Sequence, residues 1–178
     1  MAYTTPNVFV PNTFVQSTPV NANFTGLENY INTTLETAAA HTADIALLPK
    51  GKMGYAQVTA NQGSITAIVD LTSLTLTFTA LASRYYKITG FGLLQTTVAD
   101  DVFAIHITDG AGTQLQQASQ HLRVANATQA SIPIAIVQPG AGSKTYKLRA
   151  SRLTGTGTGT LTASSTFPAF IVIEDIGL

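Results

Sequence analysis

The chain has no cysteine and no tryptophan among its 178 residues. The missing thiols exclude disulfides, thiolate metal sites, iron–sulfur clusters and cysteine nucleophiles together, so stability has to come from packing and assembly. Charge is nearly as scarce: Asp, Glu, Lys and Arg make up 10% of the chain, against about 25% in ordinary soluble domains. Nine basic residues balance nine acidic ones. With no net charge, no overall field draws the chain to nucleic acid or an anionic membrane, and repulsion between copies is weak. The opening MAYTTPNVFV lacks a basic leader followed by an apolar core, so a secretory signal is not expected. No window approaches the roughly 20 apolar residues of a membrane span, so no membrane partner is expected either.

What is present is apolar surface and neutral polar surface. Hydrophobic residues make up 45% of the 18.6 kDa chain, enough for one domain with an appendage. The stretch FPAFIVIEDIGL at the end is apolar on both strand faces, with Ala169, Ile171 and Ile173 on one and Phe170, Val172 and Ile176 on the other. A strand of this kind has to be covered on both sides, by a second sheet or a neighbouring subunit. Pro168 fits only at its start. Phe170, Val172 and Ile176 are therefore the candidates for the core of an assembly, and Glu174 with Asp175 reads as a polar exit from the buried run.

Residues 1–24 carry Pro6, Pro11 and Pro19 among Val8, Phe9, Phe14, Val15 and Phe24. Such proline spacing predicts an extended arm, and its aromatic content predicts that the arm is ordered by lying on something else. Thr25 and Glu28 form a capping-box pattern that predicts a helix of about 22 residues. Leu27, Ile31, Leu35, Ala38, Thr42, Ile45 and Leu48 draw one apolar stripe along it, suited to packing on a domain or on copies of itself. Pro49 ends the helix, and PKGKMG reads as a hinge with Gly51 and Gly54. The predicted division is 1–61 for arm, helix and linker and 62–178 for the head. Phe9, Phe14, Val15, Phe24, Leu27, Ile31 and Leu35 are the candidate attachment and assembly residues.

After Gln62 the hydrophobic period becomes two. SITAIVDL, LTLTFTA, RYYKITGFGLL, VFAIHITD, TQLQQASQHLRV, SIPIAIVQ, KTYKLRASRL, LTAS and the terminal strand alternate with turns, giving about nine strands at sandwich spacing. Gly90 and Gly92 mark a bulge or a close backbone approach. No helical pattern interrupts the strands, so the predicted fold is mainly β, an antiparallel jelly-roll sandwich preceded by the arm and one α-helix, with the terminal strand in the middle of a sheet.

Nothing in the pattern carries chemistry. GTGTGT at 155–160 lacks the lysine and the following helix of a phosphate loop. His106 falls on the polar face of its strand, as an exposed or hydrogen-bonded histidine, and its pairing with His121 lacks a third metal ligand. Asp100 with Asp101 and Glu174 with Asp175 match no calcium or glycosidase pattern. Lys147 and Arg149 share the wet face of a half-buried strand. Asn23, Asn32 and Asn126 match the glycosylation pattern, and with no secretion signal expected they read as chance matches. No catalytic residue, cofactor or metal is expected, and the chain reads as non-enzymatic.

The phrases VFVPNTFVQSTPVNANFTGLENYIN, LLPKGKMGYAQVTANQGSIT, SRYYKITGFGLL and SSTFPAFIVIEDIG resemble virion proteins of tailed bacteriophages, of the head-fibre, capsid-decoration and minor-tail kinds. The ending is also similar to that of trimeric jelly-roll heads of the complement and tumour necrosis factor type. The resemblance implies a homotrimer on the virion surface, made in the host bacterial cytoplasm. It implies an N-terminal arm anchored on other virion proteins, the major capsid protein first, and a projecting head. The alternative it leaves open is a tail-associated protein whose head binds host surface glycan, which calls for a cluster of exposed aromatics in the head loops.

Overall fold

A computed structural model describes residues 17–178 of the chain. Its elements run in the order α1 (Ser17–Leu47), β1 (Gly51–Val58), β2 (Gln62–Ile65), β3 (Val69–Ala80), β4 (Tyr85–Thr96), β5 (Asp101–Asp109), β6 (Gln114–Leu122), β7 (Gln129–Ser131), β8 (Ile134–Val137), β9 (Gly142–Thr154), β10 (Gly159–Thr162) and β11 (Ala169–Gly177). The chain divides into two units, Met1–Leu48 and Pro49–Leu178.

The helix starts earlier than its capping-box pattern suggests. Thr25 and Glu28 lie two turns inside α1, and residues 17–24, expected in the extended arm, are helical. Pro19 permits this because it sits in the first turn, where backbone N–H groups have no intrahelical partner to lose. Phe9, Phe14 and Val15 lie outside the described residues. The divide also falls earlier than 61. The units divide where PKGKMG begins, but Gly51 to Gly54 of that segment already belong to β1, which pairs with β11, Gly51 opposite Asp175 through Val58 opposite Ala169.

The second unit is a jelly roll by its own strand order. One sheet runs β3-β9-β5-β6. The other runs β1-β11-β4-β10-β2, with β7 and β8 also pairing β4. Its short strands combine into four lanes. β2 continues the lane of β1, β10 and β11 share one lane along β4, and β7 and β8 share the lane on the other side of β4. The break between β7 and β8 falls at Pro133, which cannot donate to a ladder but accepts from the Gly90 N–H at 2.9 Å. Two four-lane antiparallel sheets in this order make the double Greek key of a jelly roll.

The core fills from alternate positions. Leu74 and Phe78 of β3, Tyr86, Ile88 and Leu94 of β4, Phe103, Ile105 and Ile107 of β5, and Leu148 of β9 are buried between the sheets. Ala169, Ile171 and Ile173 of β11 complete it from the centre of the opposite sheet. Each fully buried Leu, Ile or Phe contributes about 1.5–3 kcal/mol. Gly90 and Gly92 face this core in regular ladder positions: a Cβ on Gly90 would fall 2.7 Å from Leu148, and one on Gly92 2.8 Å from Ile105, both of the opposite sheet. They are sites of close approach between sheets, and β4 carries no bulge at either, Gly90 pairing with Ile171 and Gly92 with Ser131.

Candidate functional site

The outer face of the sheet containing β11 is built from the alternate residues left over by the core. Phe170 pairs across the ladder with Phe91, Val172 with Thr89 and Tyr55, and Thr89 with Ile134. The Phe170 ring stacks on Phe91 at 5.4 Å and meets Tyr55 at 5.8 Å, within the range for favourable ring pairs. Ile134 and Ile136 stand exposed beside them. The Thr89 hydroxyl, near the centre of this surface, is buried with no hydrogen-bond partner. One end is bordered by charge, where Lys87 holds Glu174 at 2.8 Å and the Lys52 ammonium lies 5.9 Å from the Tyr55 ring centroid.

Of the sequence-derived candidates for this surface, Phe170 and Val172 come together at its centre. Ile176, 39% exposed, lies past the Lys87–Glu174 pair, next to the β11 irregularity at Asp175/Gly177. Tyr55, Phe91, Ile134 and Ile136 were not among those candidates. Strand parity carried the signal for Phe91: two inward glycines flank it, so the ring points outward. Nothing in the local sequence says that Tyr55 belongs to the same face, because β1 reaches it only by pairing with the last strand. On α1, Phe24, Leu27, Ile31 and Leu35 are exposed, by 41% to 67%.

The polar exit of β11 is half internal. Glu174 is on the outer face, but Asp175 follows Ile173 inward and is 1% exposed. Arg84 meets it bidentately, Nε to Oδ2 at 2.6 Å and Nη2 to Oδ1 at 2.8 Å, and the Gly177 N–H donates to Oδ1 at 2.9 Å. Burial pushes the Asp175 carboxyl up, but Arg84 and the backbone donors outweigh it and hold the group below the usual carboxylate range.

GTGTGT holds an anion after all, one supplied by the chain itself. Asp101, also 1% exposed, accepts from the backbone N–H of Thr156 at 2.9 Å and of Gly157 at 3.0 Å, and from the Thr96 hydroxyl. Successive N–H groups converging on a carboxylate make the same kind of nest that binds phosphate elsewhere, here occupied internally.

His106 is on the outer face of the other sheet, as parity predicts, yet it is 3% exposed. Nδ1 donates to Gln114 Oε1 at 2.8 Å, which leaves Nε2 to accept from the Ser151 hydroxyl at 2.8 Å. Burial pushes its pKa down, the bond to Gln114 opposes that, and Arg149, its partner across the ladder, adds to the lowering. His121 stands opposite Val102, not His106, and contacts Asp100 at 3.3 Å. Among the described residues no three potential metal ligands cluster. Lys147 and Arg149 share one face as expected, and both reach Asp70: Lys147 Nζ by a hydrogen bond of 2.8 Å, Arg149 Nε at 2.7 Å as a charge contact without hydrogen-bond geometry. The hydrogen bond from Lys147 acts most strongly on the Asp70 carboxyl; burial opposes it, and with the charges of Lys147 and then Arg149 added the group stays below its ordinary range.

No protein-family model matches the chain, and no curated protein matches it. Among solved structures it is similar to Eiger TNF from S. frugiperda, at 11% identity over 72% of this chain and 94% of that one, with a TM-score of 0.41. It is similar to a chain of infectious bursal disease virus, Gx strain, at 12% identity over 72% of this chain and 37% of that one, with a TM-score of 0.37. A carbohydrate-binding module, CBM36 in complex with calcium and xylotriose, gives 9% identity over 68% of this chain and 99% of that one, with a TM-score of 0.35. The fold assignment rests on the strand order described above.

Proposed function

We propose that this chain is a structural, non-enzymatic protein of a tailed-bacteriophage virion surface, of the capsid-decoration or head-fibre kind, and that its jelly-roll head assembles as a trimer. The observation that carries this reading is the outer face of the β1-β11-β4-β8 lanes. Phe170, Phe91 and Tyr55 form one aromatic group there, continued by Val172, Ile134 and Ile136. A solitary sandwich would hold this apolar sheet face against water, whereas a surface of this composition normally belongs to an interface. Copies related by a threefold axis would cover it, and the Lys87–Glu174 pair would fall toward the rim. Attachment to the virion, through the major capsid protein, is assigned to the residues ahead of the head, with Phe9, Phe14 and Val15 as anchors.

The glycan-binding alternative calls for clustered aromatics in the head loops. Among the described loop residues of the head, Phe167 is the one large exposed aromatic, beside a cavity of about 290 Å³ lined by Asn61, Leu93 and Thr162. One ring is a thin platform for a sugar, so decoration is the reading adopted.

Sedimentation of the full chain tests the trimer. A mass of three chains is expected, falling to one chain in Phe170→Asp; a single-chain mass for the unmodified protein would sink the proposal. Removal of residues 1–16 should leave a folded head that no longer binds particles, and retained binding would take the arm out of the mechanism. Labelling the protein on intact virions should decorate the capsid; label confined to the tail would favour glycan binding.

A further inference from the structure

Along α1, Phe24, Ile31, Ala38 and Ile45 recur every seven residues, and Leu27, Thr34 and His41 recur in the same way three positions later, with Leu48 continuing the row just past the end of the helix. The combined row steps three, four, three, four without a slip from one end to the other. A straight helix has 3.6 residues per turn, so such a row drifts by about 20° per heptad across its surface. A flat partner loses contact with the row, while a helix supercoiling at the same period keeps it. α1 is the one helix among the described residues, so the partner with the matching period is another copy of α1. Phe24, Leu27, Ile31 and Ile45 of the row are exposed.

Two polar members of the row fit this use. The Thr34 hydroxyl already donates to the Tyr30 carbonyl at 2.8 Å, so its polar group is satisfied within the helix and its methyl can be buried. His41 is the single ionisable residue of the row, and one polar layer in a seam is a device for setting register. Parallel, in-register helices place His41 against His41. Antiparallel pairing about the middle of the row would set it against Ile31.

Resting on the trimeric reading above, we propose that the α1 helices of neighbouring copies pair in parallel and in register as a coiled coil from Phe24 to Ile45, with the His41 side chains in one layer. The absence of cysteine provides a clean test. Thr34 lies in the seam and Thr33 one position off it, and both hydroxyls bond the carbonyl four residues back, so Thr34→Cys and Thr33→Cys are matched variants. In the full chain under mild oxidation, Thr34→Cys should form an interchain disulfide at least roughly tenfold faster than Thr33→Cys, because the bond needs Cβ atoms about 3.5–4.5 Å apart. Equal rates, or no cross-link from Thr34→Cys, would overturn the proposal. His41→Leu should raise the melting temperature of the helical signal, and a decrease would remove His41 from the seam. Sedimentation of the same samples separates the two readings: a three-chain mass without Thr34 cross-linking overturns the helix register alone, and cross-linking without a three-chain mass overturns the trimer alone.

Discussion

Arg84 and Asp175 meet in the interior of the head through two hydrogen bonds, although 91 positions separate them in the chain. Arg84 immediately precedes β4 and Asp175 lies near the end of β11, so the pair ties the last strand to its neighbour in the sheet. Asp175→Ala removes the buried carboxylate that takes both hydrogen bonds from Arg84, and the expected loss of unfolding free energy is about 3–5 kcal/mol. Urea denaturation of the variant measures it. A double replacement, Arg84→Met with Asp175→Leu, should recover much of the loss, since it removes both charges together.

His106 makes the head sensitive to mild acid. Its folded pKa is lowered, chiefly by burial, while in the unfolded chain it lies at about 6.5. The unfolded state therefore binds the proton first, so stability is complete above about pH 6.5 and declines as pH falls through the window down to the folded value. Urea midpoints at a series of pH values should show this slope in the native protein and lose it in His106→Gln. An unchanged slope would assign it to another group. Asp175 and Asp70, whose folded values are lowered, act in a separate, more acidic window: their contribution is present above the ordinary carboxylate range and is lost as pH falls through the folded values.

The cradle around Asp101 has no room for a methyl group. A Cβ on Gly157 would lie 2.6 Å from Thr96 Oγ1 and closer still to Asp101 Oδ2, whereas one on Gly63 meets nothing nearer than 3.7 Å. Gly157→Ala is expected to destabilise by about 1–3 kcal/mol, the usual range for overpacking. Gly63→Ala should fall within about 0.5 kcal/mol of the native protein, as surface changes do. Thermal melts of the two variants side by side decide this.

Thr89 and Thr108 each bury a hydroxyl that has no partner. Replacing an unsatisfied hydroxyl by a methyl of the same shape removes a desolvation penalty of about 1–3 kcal/mol in full or in part. Thr89→Val and Thr108→Val should be neutral or stabilising, and Thr89→Val should leave the sedimenting mass unchanged because it makes the sheet face more apolar. A clear destabilisation by Thr89→Val would show that the hydroxyl has a partner in the assembled protein.

Much of the head was legible because strand parity is local. The inward set Leu74, Phe78, Tyr86 and Ile88 and the wet pair Lys147 and Arg149 all follow from alternation about known neighbours. The terminal strand could be placed inside a sheet because neither of its faces tolerates water, and it does lie between β1 and β4. The helix boundary was missed because a capping pattern at Thr25 competed with a proline at 19 that the first helical turn accommodates. Asp175 was missed because, next to Glu174, both carboxylates look like solvent. Only the partner Arg84, far away in the chain, makes an inward Asp tolerable.

The sequence by itself determined the class of this protein. An absence of thiols, scarce charge, period-two patterning after Gln62 and a doubly apolar last strand admit an antiparallel sandwich and little else, since each constraint acts between near neighbours in the chain. Tertiary structure alone decided which side chains share a surface. Phe170, Phe91 and Tyr55 gather on one face, Asp101 acquires its nest from residues 156 and 157, and Arg84 finds Asp175, through pairings such as that of Tyr55 with Val172, 117 positions apart. Register between distant strands is set by closing the whole barrel of contacts at once, and no local pattern in the chain carries that information.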